Sequence, residues 1–297
     1  MKNRKAINTL VLIIGVLTMI VSLVGIFSNW GNGEWEFNSI FGEKITIYGK
    51  GIYQNDSIAV VAQGMAQDYV SLILGIPLLM YSLWLYNKGT LKGKLLLTGT
   101  LGFFLYTYMS YSFLWTYNSL FLGYVALMSC SLYAFILTIL SIDINNLNFH
   151  FNEKMPIKLL GRFQIFIGIA VGMLWIGKIV PSLMNGSTPV GLEHYTTLVI
   201  QAMDLGIVVP TAILSGILLM KKSNFGYLLS SIVIIKGASL LTSMSAMVIS
   251  QAMAGVEMGI VEILMFPLIN VFIIACLFIL MKNIEEISNN CKEHLIK

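Results

Sequence analysis

The sequence predicts an all-α integral membrane protein, a bundle of eight transmembrane helices with both termini in the cytoplasm and one ordered external loop. Three observations predict this fold. Hydrophobic residues make up 57% of the chain and charged residues only 11%, whereas a soluble domain carries about 25% charged residues. Apolar runs long enough to cross a bilayer recur along the chain, and basic residues gather in alternate connecting segments.

Each predicted span is a run of about 20 mainly apolar residues, the length that crosses a hydrocarbon core of about 30 Å. The spans are residues 7–28, 69–87, 95–115, 121–142, 159–181, 198–220, 227–250 and 260–281. The shortest break, residues 116–120, must form a tight turn between the third and fourth spans. The first apolar run is too long for a signal peptide and no small-x-small cleavage site precedes Trp30, so we expect a retained anchor.

The distribution of Lys and Arg predicts the orientation. With the N-terminus inside, fourteen of the 18 basic residues fall in cytoplasmic segments, Lys44 and Lys50 fall in outer loops, and Lys178 and Lys236 fall in spans. This positive-inside bias predicts a multi-pass protein of the plasma membrane with cytoplasmic N- and C-termini. The lipid bilayer is therefore the expected partner, and the basic residues are expected to anchor the chain to the membrane rather than to bind nucleic acid.

Residues 29–68 form the long external loop. Alternation around Ile45, Ile47 and Tyr53, with glycines between them, predicts a small β-hairpin. Asp56-Ser57 predicts a helix cap, followed by a short apolar helix on the outer surface. Such a loop either caps the bundle or serves as a passive connector.

The rest of the chain, within a single membrane domain of residues 1–297, contains one recurring pattern. In the second span Pro77 precedes Lys88 by eleven residues, and in the sixth span Pro210 precedes Lys221 by the same number. This spacing favours a parallel repeat of four spans plus four about an axis normal to the membrane, and chance similarity between apolar segments is the alternative. The repeated units would be residues 1–142 and 159–281.

Ionisable side chains occur inside the predicted spans. Each costs about 2.5–3.5 kcal/mol on insertion scales, so such groups usually face the interior of the bundle and find partners there. Lys236 lies nine residues past Tyr227, about 14 Å along a helix and therefore near mid-membrane. Asp204 in the sixth span and Glu262 in the eighth are its candidate acidic partners.

These residues predict a polar site in the outer half of the bundle, lined by the second, sixth, seventh and eighth spans. The predicted residues for solute or ion binding are Asp204, Lys236, Glu262, Asp68, Gln201 and Asn270. The corresponding function is that of a transporter-like protein that binds a small polar or charged solute or an ion. The alternative for the same residues is a buried ion pair that only holds the helices together.

Two other classes of function fit the composition. One is a membrane-embedded enzyme with an extracytoplasmic active site, built from Asp68, Glu193, His194 and Lys178. The other is a non-catalytic sensor or assembly subunit. The chain has no P-loop, no HExxH or paired-histidine pattern and no GxSxG elbow, so the enzyme is not favoured and neither a metal nor a cofactor is predicted. The sequence does not predict an oligomeric state.

Aromatic residues cluster at the outer end of the third span. They are Tyr106, Tyr108, Tyr111, Trp115 and Tyr117. An aromatic belt at the membrane interface accounts for such a cluster, and a stacking platform for a substrate is the alternative.

Four short segments resemble parts of uncharacterised bacterial multi-pass membrane proteins. They are Tyr48-Gly-Lys-Gly-Ile-Tyr53, Asp56-Ser57, Gln67-Asp68 and Leu74-Gly-Ile-Pro77-Leu-Leu. The resemblance covers a small part of the chain and implies a membrane location without an activity. It also implies that the external loop and the start of the second span form one unit around Asp68.

Overall fold

Helices make up most of this protein. The computed structural model describes residues 3–286, apart from the side chains of residues 261 and 262. The helices are α1 (Arg4–Phe27), α2 (Ile58–Asn87), α3 (Leu91–Phe113), α4 (Phe121–Ile139), α5 (Ile157–Asn185), α6 (Val199–Met220), α7 (Asn224–Met253) and α8 (Ile260–Lys282). Two short strands, β1 (Trp35–Asn38) and β2 (Lys44–Ile47), lie between α1 and α2.

Seven of the helices in the described part of the chain are long and apolar enough to cross a membrane. The chain is therefore a polytopic membrane protein built as a helix bundle. The remaining helix, α3, is less apolar because it carries Lys92, Lys94 and many hydroxyl groups. More than half of its residues are buried, and it packs against α2, α4 and α7. Its polar side chains thus face other helices.

The helices form two groups. Helices α1 to α4 enclose one apolar core, and α5 to α8 enclose a second one together with the start of α3. Helix α7 connects the groups, since it packs against α2 and α3 on one side and against α6 and α8 on the other. The contact between α2 and α7 therefore places residues of these two helices near the middle of the bundle.

The two ends of the bundle are built differently. Residues 28–57 and 186–198 cover one end, the hairpin end. At the opposite end, the basic end, Arg4 Nε donates to Asn87 Oδ1 at 2.8 Å, and the Asn224 side chain donates to the Asn145 carbonyl at 2.7 Å. The predicted tight turn between the third and fourth spans is present at the hairpin end, where Asn118 Oδ1 accepts from the Leu120 N–H at 2.9 Å.

Helices α3 and α7 begin in the same way. The Thr90 hydroxyl accepts from the Gly93 N–H at 3.0 Å, and the Ser223 hydroxyl accepts from the Gly226 N–H at 3.0 Å. A Cβ atom on either glycine would overlap the backbone of the preceding helix end. Both turns therefore need a hydroxyl cap and a glycine at the same spacing.

Helices α2 and α6 each contain one π-helical turn, at Ser71–Gly75 and Asp204–Val208. Pro77 and Pro210 lie two residues beyond these turns. Proline has no N–H to donate, and a π turn is one of the local adjustments that accommodates the missing bond. The equal Pro-to-Lys spacing in the sequence thus falls on the same local structure in both helices.

The predictions for the external loop were wrong in two respects. The hairpin pairs β1 with β2, with Phe37 opposite Ile45, whereas Tyr53 lies in a 3-10 turn, Gly51–Tyr53. Residues 58–66 do not form a separate surface helix, because α2 runs unbroken from Ile58 to Asn87. Its first turns pack against α7, and this contact buries Val61. The apolar side chains of these turns are therefore covered by a helix and do not need a membrane surface. The predicted helix cap is present, since the Ser57 hydroxyl accepts from the Val60 N–H.

Candidate functional site

Asp204 lies buried where the π turn of α6 begins. Its carboxylate accepts two hydrogen bonds, from the Tyr106 hydroxyl of α3 at 2.6 Å and from the Trp175 indole N–H of α5 at 2.8 Å. Both donors are neutral. Three helices from the two groups therefore meet at one acidic side chain.

Lys236 of α7 belongs to the same site. Its Nζ lies 4.3 Å from the centre of the Tyr106 ring, and its aliphatic part passes beside Gly102 of α3. No carboxylate oxygen of a described residue lies within 4.0 Å of this ammonium. Tyr106 thus separates the two charges, with its hydroxyl on Asp204 and its ring face on Lys236, where a cation–π attraction holds the ammonium. Asp204, Tyr106, Trp175 and Lys236 form the Asp204 cluster.

Asp68 of α2 lies in a second site, only 2% exposed. Its carboxylate accepts from the Tyr53 hydroxyl at 2.6 Å and from the Tyr111 hydroxyl at 3.2 Å. Gly25 of α1 makes room for this carboxylate, because a Cβ atom there would overlap Asp68 Oδ2. These residues, together with Ser22 of α1, form the Asp68 cluster.

Aromatic rings in tilted and edge-to-face contact surround the Asp68 cluster. The Trp115 ring lies 4.8 Å from that of Tyr53 and 4.9 Å from that of Tyr111, and Tyr111 lies 5.1 Å from Tyr124. The interpretation as an interfacial belt is therefore wrong for Tyr111, which is buried inside the bundle. An α-helix turns successive residues to different sides, so an aromatic run at a span end need not face lipid.

The other predicted residues join neither cluster by a hydrogen bond between described residues. Gln201 is half-buried one turn before Asp204. Asn270 of α8 accepts from the Thr242 hydroxyl of α7 at 3.2 Å. Glu262 falls in the first turn of α8, and its side chain lies outside the described residues. The structure thus brings Asp204 and Lys236 together and places Asp68 in a separate cluster.

The residues of the enzyme alternative are not gathered at one point. Glu193 Oε2 accepts from the Ser57 hydroxyl, and His194 Nε2 lies 3.1 Å from the Asn55 carbonyl oxygen. Lys178 is exposed on α5, 5.6 Å from the centre of the Trp175 ring. Asp68 lies apart from all three, inside its own cluster. Burial raises the pKa of the Glu193 carboxyl, and the nearby charge of Glu43 raises it further.

A buried acid fastens the loop of residues 28–57 to the bundle. Asp56 is 1% exposed, and its Oδ1 accepts from the Thr116 N–H at 3.0 Å, from the Thr116 hydroxyl, and from the Tyr195 hydroxyl at 3.1 Å. Burial raises the pKa of Asp56 above its usual value of 3.8. The loop is therefore a cover tied to the α3–α4 turn and to residues 186–198, not a passive connector.

A groove of about 480 Å³ opens at the hairpin end between β2, the start of α2 and residues 190–193 and 254–256. Across the described part of the chain, no three His, Cys, Asp or Glu side chains are placed to hold a metal ion. The described residues therefore contain no cluster of these side chains that could bind a multivalent metal ion.

Four residues of these clusters were not identified from the sequence as ligands of the acids. They are Tyr106, Tyr111, Tyr53 and Trp175. One signal was present, because an indole N–H inside a span needs an acceptor and Trp175 lies in the fifth span.

Comparisons with protein-family models, with curated proteins and with solved structures give no match. The assignment of function therefore rests on the geometry of the two clusters.

Proposed function

We propose that this chain is a plasma-membrane transport protein with eight spans and cytoplasmic termini, which binds a small polar or charged solute or an ion at the Asp204 cluster. The observation that carries this proposal is the separation of opposite charges by Tyr106. A carboxylate and an ammonium share one buried site, yet they do not pair directly.

The separation argues against a purely structural ion pair. Two buried charges offset their desolvation only through close contact and further hydrogen bonds. Lys236 instead makes no hydrogen bond to a described residue, so its three N–H donors are available to an acceptor group on a solute. Asp204 offers the opposite charge on the far side of the same ring. A site of this kind suits a solute that carries both charges, or an anion whose binding is linked to Asp204.

The backbone supports the same conclusion. The π turn of α6 begins at Asp204 itself. Such turns occur frequently at functional sites, and interrupted spans are where many transporters bind solutes and ions. In this proposal the loop fastened by Asp56 covers the outer entrance, and Asp68, linked to that loop by Tyr53, belongs to the gate.

Uptake into proteoliposomes tests the assignment, with a mixture of radiolabelled amino acids and radiolabelled chloride as the probes. We expect uptake to fall at least about tenfold in Lys236→Met and in Asp204→Asn, since losing a charged hydrogen-bond partner removes about 1.5–3 kcal/mol. Lys178→Met is the matched control, because this lysine is exposed on α5. Wild-type uptake no faster than that of empty liposomes, or uptake unchanged in both variants, would contradict the proposal.

A double variant tests the sensor or assembly alternative. If the charges serve only to hold helices together, Lys236→Met combined with Asp204→Asn should restore the function that each single variant loses. We expect no restoration, because the proposed site needs both charges.

The orientation is tested by cysteine labelling. On a background without Cys130, Cys276 and Cys291, Ile40→Cys at the hairpin end should react in intact cells with a membrane-impermeant maleimide, since Ile40 is 84% exposed. Lys221→Cys at the basic end should react only after the membrane is opened. The reverse pattern would overturn the proposed orientation.

We also propose that residues 1–142 and 159–281 are the two units of a parallel repeat. The π turns followed by proline in α2 and α6 support it, as do the matching caps of α3 and α7. In this arrangement the two acids lie one turn apart within equivalent helices.

A further inference from the structure

Asp68 is a buried acid with no basic side chain beside it among the described residues. No Lys, Arg or His nitrogen of a described residue lies within 4.0 Å of its carboxylate. Burying an ionised carboxylate without a partner is very unfavourable. The two tyrosine hydroxyls are neutral donors, and their hydrogen bonds offset only part of this free-energy cost. Neutralising this carboxylate therefore requires either a proton or a bound cation.

The atoms that face Asp68 are oxygens. The hydroxyls of Tyr53 and Tyr111 lie 2.6 and 3.2 Å from the carboxylate, and Tyr111 also lies 3.1 Å from the Gly64 carbonyl oxygen. The Ser22 hydroxyl is 0% exposed, faces the carboxylate and makes no hydrogen bond to a described residue. An unpartnered buried hydroxyl is unusual, and it is an additional oxygen ligand aimed at the same point.

We infer that the Asp68 cluster binds a small monovalent cation of the Na⁺ type, held by the Asp68 carboxylate and by the oxygens of Tyr53, Tyr111 and Ser22. Hard oxygen ligands select hard cations, and the absence of His and Cys from the cluster disfavours transition metals. One carboxylate balances one positive charge, which favours a monovalent ion over a divalent one. A π turn starts three residues beyond Asp68, and such turns occur frequently at functional sites.

This site is separate from the Asp204 cluster and goes beyond the proposed function. One of its ligands, Tyr53, belongs to the external loop, whereas Tyr111 belongs to α3 and Ser22 to α1. A bound cation therefore ties the loop to two helices at once.

The purified full-length chain in detergent provides the test. Sodium chloride is titrated against choline chloride at constant ionic strength, and the midpoint of thermal unfolding is measured together with tryptophan fluorescence. We expect Na⁺ to raise the midpoint by roughly several degrees, because a ligand that binds only the folded state stabilises it. The Trp115 ring contacts the rings of two of the ligands, so Trp115→Phe should remove the fluorescence change and keep the thermal shift.

Variants locate the ion. Asp68→Asn should abolish the Na⁺ response, and Tyr53→Phe, which removes one oxygen and leaves the carboxylate, should weaken Na⁺ binding about tenfold. Asp204→Asn is the matched control and should keep the full response, so failure here is distinguishable from failure of the Asp204 assignment. An equal response to Na⁺, K⁺, Li⁺ and choline in the wild type overturns the inference, as does a response that survives Asp68→Asn. A response to pH alone assigns a proton to Asp68 and overturns it as well.

Discussion

Replacing Gly25 by alanine should disrupt the Asp68 cluster directly. A Cβ atom at this position would lie 2.7 Å from Tyr53 Oη and 2.9 Å from Asp68 Cγ, and it would overlap Asp68 Oδ2. Neither neighbour can retreat easily, since Asp68 is fixed on α2 and Tyr53 packs against Trp115. Overpacking costs about 1–3 kcal/mol and the loss of a hydrogen bond to a charged group about 1.5–3 kcal/mol, whereas alanine regains about 1 kcal/mol of helix propensity. The free energy of unfolding should therefore fall by about 2–5 kcal/mol.

Denaturant titration in mixed micelles, followed by circular dichroism, measures this change. Gly177→Ala is the matched control on α5, because a Cβ atom there meets nothing within 4 Å. We expect the control to be neutral or slightly more stable than the wild type. A loss below about 1 kcal/mol in Gly25→Ala, or a loss equal to that of the control, would refute the description of the Asp68 cluster as tightly packed.

Three further predictions concern other parts of the molecule. Trp175→Phe keeps an aromatic ring and removes the N–H that Asp204 accepts, so uptake should fall about tenfold, and unchanged uptake would exclude this donor from the site. The raised pKa of Asp56 means that the folded state holds its proton more tightly than the unfolded chain does, so its contribution to stability is full below pH 3.8 and is lost as the pH rises through the raised value. Asp56→Asn should therefore flatten the decline of the unfolding midpoint above pH 3.8, and parallel curves for variant and wild type would contradict the buried charge. Thr90→Ala and Ser223→Ala should each destabilise the protein by about 1 kcal/mol in the same titration, and clearly unequal losses would argue against equivalent positions in a repeat.

Much of the helical architecture follows from the sequence because the lipid imposes simple demands. Apart from the start of α2, apolar runs and basic breaks predicted the helices within several residues, including the short turn before α4. The start of α2 was misjudged for a physical reason. Val61 and its apolar neighbours look like the face of a surface helix, and only contact with α7, far away in the chain, shows that they are buried.

The candidate site was accessible from the sequence only in part. Asp204 and Lys236 stand out because charged groups are costly in a span, and the structure places them around the same ring. The position of Tyr106 between these two side chains depends on how α3 is rotated about its axis. The hydropathy of the sequence does not determine that rotation. Asp68 was expected in the same site, but the packing of α1 against α2 encloses it with tyrosines instead.

Helix α3 has a role that neither acid reveals alone. Tyr106 reaches Asp204 on one side of it, and Tyr111, five residues later, reaches Asp68 on another. A rotation of this one rigid segment displaces both hydroxyl donors simultaneously. If ligands bind at both acids as proposed and such a rotation couples the two sites, thermodynamic reciprocity requires that occupancy at either acid alter affinity at the other to the same extent. The least lipid-like helix of the bundle is thus the element through which its two halves would communicate.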